Sequence, residues 1–508
     1  MYAKCSTLDN AHKLFDEMPE RNLISYSTLI SSNSKFGNPK LAFHLLSKLL
    51  HQALRPNQFI FSSSIAACAK LKSLEVGMQF HGLILKYGFN SNCFVGTSLV
   101  DMYGRHGLIE SLETAFDNIL SRDIALYNAM IGGYSRNDLD EIALKCFIEL
   151  VFEKFTPNEC TLAGVLKSCA VLRCYSYGSM IHGVVEKSQF CDNVIVKTAL
   201  MDMYLKCGKV EETLYIFKKM KERDVVSWTT VISGLTQMDL HVNAVEVFKT
   251  MCSSEIFPNT FTFSSVLKSC GALASINQGK CVHACGIKHG VIDEFTSSSL
   301  LYMYAKCGVL EDSRRLFDEI GSKEIVTWNT MITAYAQHGH VQEALELYGM
   351  MEVHNLEPNH VTFVSLLSAC SHCGMVDDGI QLFELMKRKH GIAPLTEHYA
   401  CMVYLFGRAG FLERAKLFID TMPFEADASI WTVFLSACKL NGDFELAQLA
   451  RKKLDGMLNE DNSILVLVSN MFSEVGKWDD AEKARRKISE DMRKEPGLSW
   501  VQTSEASL

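Results

Sequence analysis

A chain of 508 residues with 48% hydrophobic content has enough apolar surface for a large core, and its 9 prolines and few Gly-rich runs exclude intrinsic disorder. The net charge of −8 and the lack of a Lys/Arg-rich block exclude nonspecific polyanion binding through a generally basic surface, although a local concave stripe can be basic on an acidic molecule. No run of about eighteen apolar residues occurs, so no spanning helix and no membrane partner is predicted, and the amino terminus has neither a signal-peptide pattern nor an Arg-rich transit pattern.

Met1 opens the segment MYAKCSTLDNAHKLFDEMPERN. Near-copies begin at Met102 (MYGRHGLIESLETAFDNILSRD), Met203 (MYLKCGKVEETLYIFKKMKERD) and Met303 (MYAKCGVLEDSRRLFDEIGSKE), so the starts lie 101, 101 and 100 residues apart. Because Met1 falls on an internal repeat position, the chain is expected to start inside a repeat, with a segment upstream. After each copy comes a Tyr/Trp-led segment, ISYSTLI from Ile24, ALYNAMI from Ala125, VSWTTVI from Val226 and VTWNTMI from Val326. Each of these units closes on Pro-Asn, at Asn57, Asn158, Asn259 and Asn359. The next unit carries a small-residue run and then His81, His182 or His283. The block thus divides into units of 31, 35 and 35 residues, the third block being one residue short between Gly290 and Phe295. Self-similarity at this period is the signature of stacked supersecondary units, and it replaces the three or four globular domains that length alone suggests with one long solenoid.

Within Val225 to Asn259, Trp228, Val231, Ile232 and Leu235 fall at i, i+3, i+4 and i+7, which predicts one buried helix face. A polar break around Asp239 follows, and Ala244, Val245, Phe248 and Met251 repeat the pattern. Phe257-Pro258-Asn259 is expected to stop the second helix, since proline lacks the amide hydrogen and displaces the residue before it. Two helices this short bury their apolar faces only by stacking on neighbours.

The 18 cysteines recur with the period, Cys5, Cys207 and Cys307 at one position and Cys68, Cys169 and Cys270 at another. Cysteines a full block apart lie in different layers, so they are read as small apolar residues rather than ligands or disulfides. Cys370-Ser371-His372-Cys373 and Cys281-Val282-His283-Ala284-Cys285 look like zinc half-sites but lack a second ligand pair. His81, His182 and His283 have no nucleophile or orienting group repeated beside them, so they are read as packing residues. No phosphate loop, dinucleotide fingerprint or hydrolase elbow occurs, and no enzyme activity or cofactor is predicted.

These segments and periods resemble the pentatricopeptide-repeat family, in its plant subclass that alternates standard, long and short repeats. The resemblance covers essentially the whole chain. Short repeats start at Met1 (partial), Cys93, Val194 and Glu294, standard ones at Leu23, Ile124, Val225 and Ile325, and long ones at Gln58, Glu159 and Thr260. His360 to Leu395 looks like a final long repeat and Thr396 to Asp427 like a final short one. The organisation implied is a partial repeat over 1–22, tandem repeats over 23–427, two degenerate extension motifs over 428–497 and a tail over 498–508. The fold implied is all-α, a right-handed α-solenoid superhelix of helix-turn-helix repeats. Many relatives continue past a segment like Lys494 to Trp500, KEPGLSW, into a cytidine-deaminase-like domain. Such a domain needs a His-x-Glu segment and a Cys-x-x-Cys pair, and neither lies downstream of Trp500, so this chain alone is not expected to deaminate.

The resemblance further implies modular reading of single-stranded RNA, one base per repeat, by the fifth and last residues of each repeat with an apolar second residue against the base. Standard repeats then offer Ser27 with Asn57, Asn128 with Asn158, Thr229 with Asn259, and Asn329 with Asn359. Short repeats offer Thr97 with Asp123, Thr198 with Asp224, and Ser298 with Glu324. By the family's code, a hydroxyl with Asn implies adenine, a hydroxyl with Asp guanine, and two Asn a pyrimidine. The target would run 5′-A-x-G-Y-x-G-A-x-R-Y-3′, long repeats being undetermined. The second-position residues are Ile24, Phe94, Ala125, Ile195, Val226, Phe295 and Val326. Ser, Thr, Asn and Asp at helix starts also serve as caps, yet capping alone does not call for the residue type to vary at a fixed position. The role implied is site recognition for C-to-U editing in an organelle, a mitochondrion rather than a chloroplast, with a deaminase supplied in trans by a partner docking near 428–500. The alternatives are an RNA stability or splicing factor, or a scaffold binding peptides along a helical-repeat surface.

Overall fold

The computed structural model describes residues 8–36, 38–52, 54–71, 73–455 and 482. Cys5, most of the expected extension motifs and the tail lie outside the described residues. The described residues form 27 α-helices and no strand, an all-α helical repeat solenoid. After a lone helix, Leu8–Glu17, the helices alternate as first and second members of hairpins, beginning with Leu23–Phe36 and Pro39–His51 and ending with Ala428–Asn441 and Phe444–Asp455. The chain divides into two compact units, Met1–Ser269 and Cys270–Leu508. In each unit a first helix packs on its own second helix and on the first helices of adjacent hairpins, so the first helices form a row. Second helices lie against their own first helix and, in most hairpins, the next one.

The hairpin follows from local chemistry. In Val225–Gln237 the predicted face, Trp228, Val231, Ile232 and Leu235, is buried, and in His241–Cys252 so are Ala244, Val245, Phe248 and Met251. Between them Asp239 takes a left-handed φ of 58°, and the Leu240 amide donates to the Leu235 carbonyl at 2.9 Å. Short repeats make the same turn with Gly208, at φ 76°, and a 2.8 Å bond from the Lys209 amide to the Tyr204 carbonyl. This 6→1 closure satisfies a carbonyl that the helix end would otherwise orphan, which is why KCG recurs at that point. The expected stop at Pro258 is corrected. The second helix ends at Cys252, where Ser253 Oγ donates to the Lys249 carbonyl at 3.0 Å and Ser254 Oγ to the Met251 carbonyl at 2.6 Å. Pro258 belongs to the non-helical run leading to the next helix.

The 101-residue period is fixed by packing between a long repeat and the short repeat after it. Met102, Met203 and Met303 are fully buried, and each fills space left by a glycine in the preceding second helix. A Cβ on Gly77, Gly178 or Gly279 would stand 2.3 to 2.4 Å from the methionine sulfur. Burying such a side chain contributes about 2 kcal/mol. One residue further on, Tyr103, Tyr204 and Tyr304 share hydrogen bonds of 2.7, 2.8 and 2.9 Å with Nδ1 of His81, His182 and His283. Burial holds these three imidazoles below their ordinary pKa, so they pack as neutral rings. Cys68, Cys169, Cys270, Cys370 and Cys438 are buried, and burial pushes the Cys68 and Cys169 thiols up to about 12, so they behave as small apolar groups. Cys207 and Cys307 are only half-buried, each with Sγ 3.9 Å from a methionine sulfur. Cys373, in one of the apparent zinc half-sites, is exposed and faces the Gly339 carbonyl instead.

Candidate nucleic-acid interface

Helical periodicity puts residues 2, 5, 9 and 13 of each first helix on one face. The buried positions described above lie on the opposite side. The second-position residues named above are exposed despite their apolar character, from 50% for Phe94 and Phe295 to 74% for Ile24, and Ala125 is exposed as well. Long repeats, left undetermined from sequence, do the same with Phe59, Cys160, Phe261 and Val361. A periodic row of exposed apolar residues on one face of otherwise well-packed helices makes that face the candidate contact surface. Within the first unit, Phe59 and Phe94 meet at 5.4 Å between ring centroids. They line an open groove of about 620 Å³ with Ser27, Ser31, Ser62 and Lys35.

The structure brings together several of the predicted pairs. Asn128 Nδ2 donates to Asn158 Oδ1 at 3.1 Å, and Asn329 Nδ2 to Asn359 Oδ1 at 3.0 Å. In both, a fully buried threonine closes the network, Thr161 Oγ1 donating to Asn128 Oδ1 at 2.6 Å and Thr362 Oγ1 to Asn329 Oδ1 at 2.7 Å. Thr229 and Asn259 are joined through Thr262, whose hydroxyl lies 2.7 Å from Thr229 Oγ1 and 2.9 Å from Asn259 Oδ1. In short repeats the fifth residue bonds back to its own helix. Thr97, Thr198 and Ser298 donate to the carbonyls of Cys93, Val194 and Glu294 at 2.9, 2.7 and 3.3 Å. Burial and then the Asp123 carboxylate raise the Cys93 thiol to about 11, which places Asp123 beside the first turn of the helix that bears Thr97. Ser27 lines the groove, and Asn57 caps the helix that starts at Gln58.

Capping is a real part of what the last residues do. Oδ1 of Asn57, Asp123, Asn158, Asp224, Asn259 and Asn359 accepts from the amide three residues on, at 2.8 to 3.2 Å. Such a cap is worth about 1 kcal/mol. It occupies one terminal atom and leaves the other, an NH₂ donor in Asn and an acceptor oxygen in Asp. Capping and readout are therefore compatible in one residue. Glu324 stands at the same N-cap position without a side-chain cap bond, one methylene too long for that geometry.

A cationic row was missed from sequence. Position 13, in the last turn of the first helices, holds Lys35, Lys70, Arg105, Arg136 and Lys206 in the first unit and Lys306 and Arg408 in the second. Aligning the 31- and 35-residue units would have exposed it. Net charge hid it, because acidic residues elsewhere outweigh it. Cations at helix C-termini are favoured by the macrodipole, and Lys70 Nζ indeed donates to the Ser34 and Lys35 carbonyls at 2.6 and 2.9 Å. Among the described residues no three His, Cys, Asp or Glu side chains converge as metal ligands.

Comparison with known proteins finds the same family of repeats along the chain. A model described as PPR repeat matches residues 1–23, 24–52, 125–155, 196–225, 295–325 and 361–390, and the PPR repeat family model matches 223–272 and 323–372. A model described as E motif matches 441–502. The chain is 37% identical to a chloroplastic pentatricopeptide repeat-containing protein of Arabidopsis thaliana over 99% of this chain and 58% of the relative. It is 36% identical to a putative one from the same plant, over 99% of this chain and 74% of the relative. A mitochondrial one is 36% identical over 98% of this chain and 90% of the relative. The crystal structure of the pentatricopeptide repeat protein PPR10 from maize shares the fold, with a TM-score of 0.54 at 16% identity over 96% of this chain and 82% of that one. On its sequence, its hairpins and these relatives, the chain belongs to the plant pentatricopeptide repeat proteins, in the subgroup carrying an E motif.

Proposed function

We propose that this protein binds single-stranded RNA in sequence-specific fashion inside an organelle, one base per standard or short repeat, and serves as a site-recognition factor for C-to-U editing. The observation that carries the reading is the repeated groove face: a first helix presents an exposed apolar residue at position 2 and a polar residue at position 5, the polar last residue of the repeat caps the next first helix, and seven first helices add a cation at position 13. The apolar residue suits a base face, the pair suits a base edge, and the cation suits a phosphate. Adenine offers an acceptor at N1, which the NH₂ of Asn57 or Asn259 complements. Guanine offers a donor there, which the carboxylate of Asp123 or Asp224 complements. In the Asn128–Asn158 and Asn329–Asn359 pairs the fifth-position oxygen is already engaged by threonine, so they present donors, as a pyrimidine O2 requires.

The E motif match and the chloroplastic and mitochondrial names of the relatives support an organellar editing role. The deaminase would come from a partner at the extension region. Gel shifts with 5′-A-x-G-Y-x-G-A-x-R-Y-3′, its permuted version and a peptide library test the reading. Binding that weakens on permutation is expected. Equal binding to both RNAs, or binding to peptide instead, overturns base readout in favour of a scaffold.

A further inference from the structure

The ninth residue of the first helices lies on the groove face between the base-edge pair and the cation. In standard repeats it is small, Ser31, Gly132, Ser233 and Thr333. In the first two complete short repeats it is an aspartate. Asp101 Oδ2 accepts from Arg105 Nε at 2.8 Å, and Asp101 Oδ1 lies 3.1 Å from Arg136 Nη1 on the next first helix. Asp202 Oδ2 lies 3.2 Å from Lys206 Nζ. In the following short repeat the same position is Tyr302, whose ring lies 5.9 Å from Lys306 Nζ. All of these carboxylates are partly open to solvent, so they are not demanded by the core.

We infer that Asp101 and Asp202 act as electrostatic brakes on the path of the RNA backbone, an inference that rests on the single-stranded RNA reading above. Each carboxylate occupies guanidinium or ammonium groups that would otherwise meet phosphate, and each repels phosphate directly. The effect is independent of base identity, so it lowers the hold on every RNA and leaves discrimination to the paired residues at positions 5 and last. Without the brakes, the cations of this face in the first unit, Lys167 and Lys268 at position 9 of the long repeats among them, would bind any single strand more tightly. Tyr302 replaces repulsion with an aromatic surface, so the brake is confined to the first unit.

The test uses the full chain and two fluorescent RNAs, the predicted target and its permuted version. Asp101→Asn and Asp202→Asn keep side-chain shape and remove one charge each. Glu141→Gln, on the exposed face of a second helix, changes net charge equally and is the control. Each Asp→Asn variant is expected to bind both RNAs about three- to tenfold more tightly at low salt, by like factors. The slope of log affinity against log salt should steepen by about 0.7 per variant while Glu141→Gln leaves it unchanged. Unchanged or weakened binding in the Asp→Asn variants, or an equal gain in the control, overturns the brake. If wild type binds both RNAs equally, base readout fails while the comparison of variants still decides the brake. If wild type binds no RNA, both fall.

Discussion

The two units repeat one framework and differ in charge. His182 with Tyr204 and His283 with Tyr304, Gly178 under Met203 and Gly279 under Met303, and Trp228 on Phe217 and Trp328 on Phe317 are matching contacts in the first and second unit. The Asn128–Asn158–Thr161 and Asn329–Asn359–Thr362 networks match as well. Position 13 does not match. The first unit carries Lys35, Lys70, Arg105 and Arg136 in its first four hairpins and Lys206 between Val171 and Gln237, whereas the second unit has only Lys306 and Arg408 among Ala272, Gln337, His372 and Leu440. The contacts that hold the stack together recur in both units, and the cations at position 13 do not. That division distinguishes a periodicity that the stack uses from one that it does not require.

If the division holds, the largest effects come from the shared framework and are equal in both units. Met203→Ala and Met303→Ala should each cost about 2–4 kcal/mol, from lost burial and the cavity beside the glycine. Hydrogen exchange of each unit reads this. A loss confined to one unit would break the comparison. Charge removal should be unequal. In an Asp101→Asn background, where Arg105 and Arg136 are released, changing Lys35, Lys70, Arg105 and Arg136 together to Gln should flatten the salt dependence of RNA binding by about 2.8, against about 1.4 for Lys306 and Arg408, at about 0.7 per cation on a single strand. Equal slopes would assign the phosphate path evenly to both units.

A smaller effect is expected from pH. Burial lowers the pKa of His182 and His283, so the folded protein keeps them neutral while the unfolded chain takes up protons near the ordinary value of 6.5. Their contribution to stability is therefore whole above that pH and is lost as pH falls below it. His182→Gln and His283→Gln should flatten the decline in urea midpoint between pH 7 and pH 5.5, to a similar degree. A decline that persists unchanged would assign it to other groups.

Much of this was legible in the sequence because a repeat states each structural requirement several times. The apolar spacing of Trp228, Val231, Ile232 and Leu235 marked the buried face, and the recurrence of Met203 and its copies marked the stack. What the sequence concealed was of two kinds. Gly178 read as one small residue in a run, and only the approach of the Met203 sulfur gives it a role. The second helix ended six residues before Pro258 because Ser253 and Ser254 take its last carbonyls, and side-chain capping wins over the more conspicuous proline. Among the proposed base-reading residues, Asn128 and Asn158 were paired by numbering alone and meet in space. The threonine that locks them could be found only from coordinates, since Thr161 looks like any residue in a first turn.

Base recognition as proposed requires the last residue of a repeat to read a base while it caps the next helix. The direct measurement is selection from a randomised single-stranded RNA pool with wild type and with Asp224→Asn, which keeps the Oδ1 cap acceptor and converts the remaining oxygen to a donor. One position in the enriched sequence is expected to change from G to A, worth about 1–3 kcal/mol, while its neighbours stay as they were. Enrichment that weakens across all positions alike, with no change of base at that one, would contradict it.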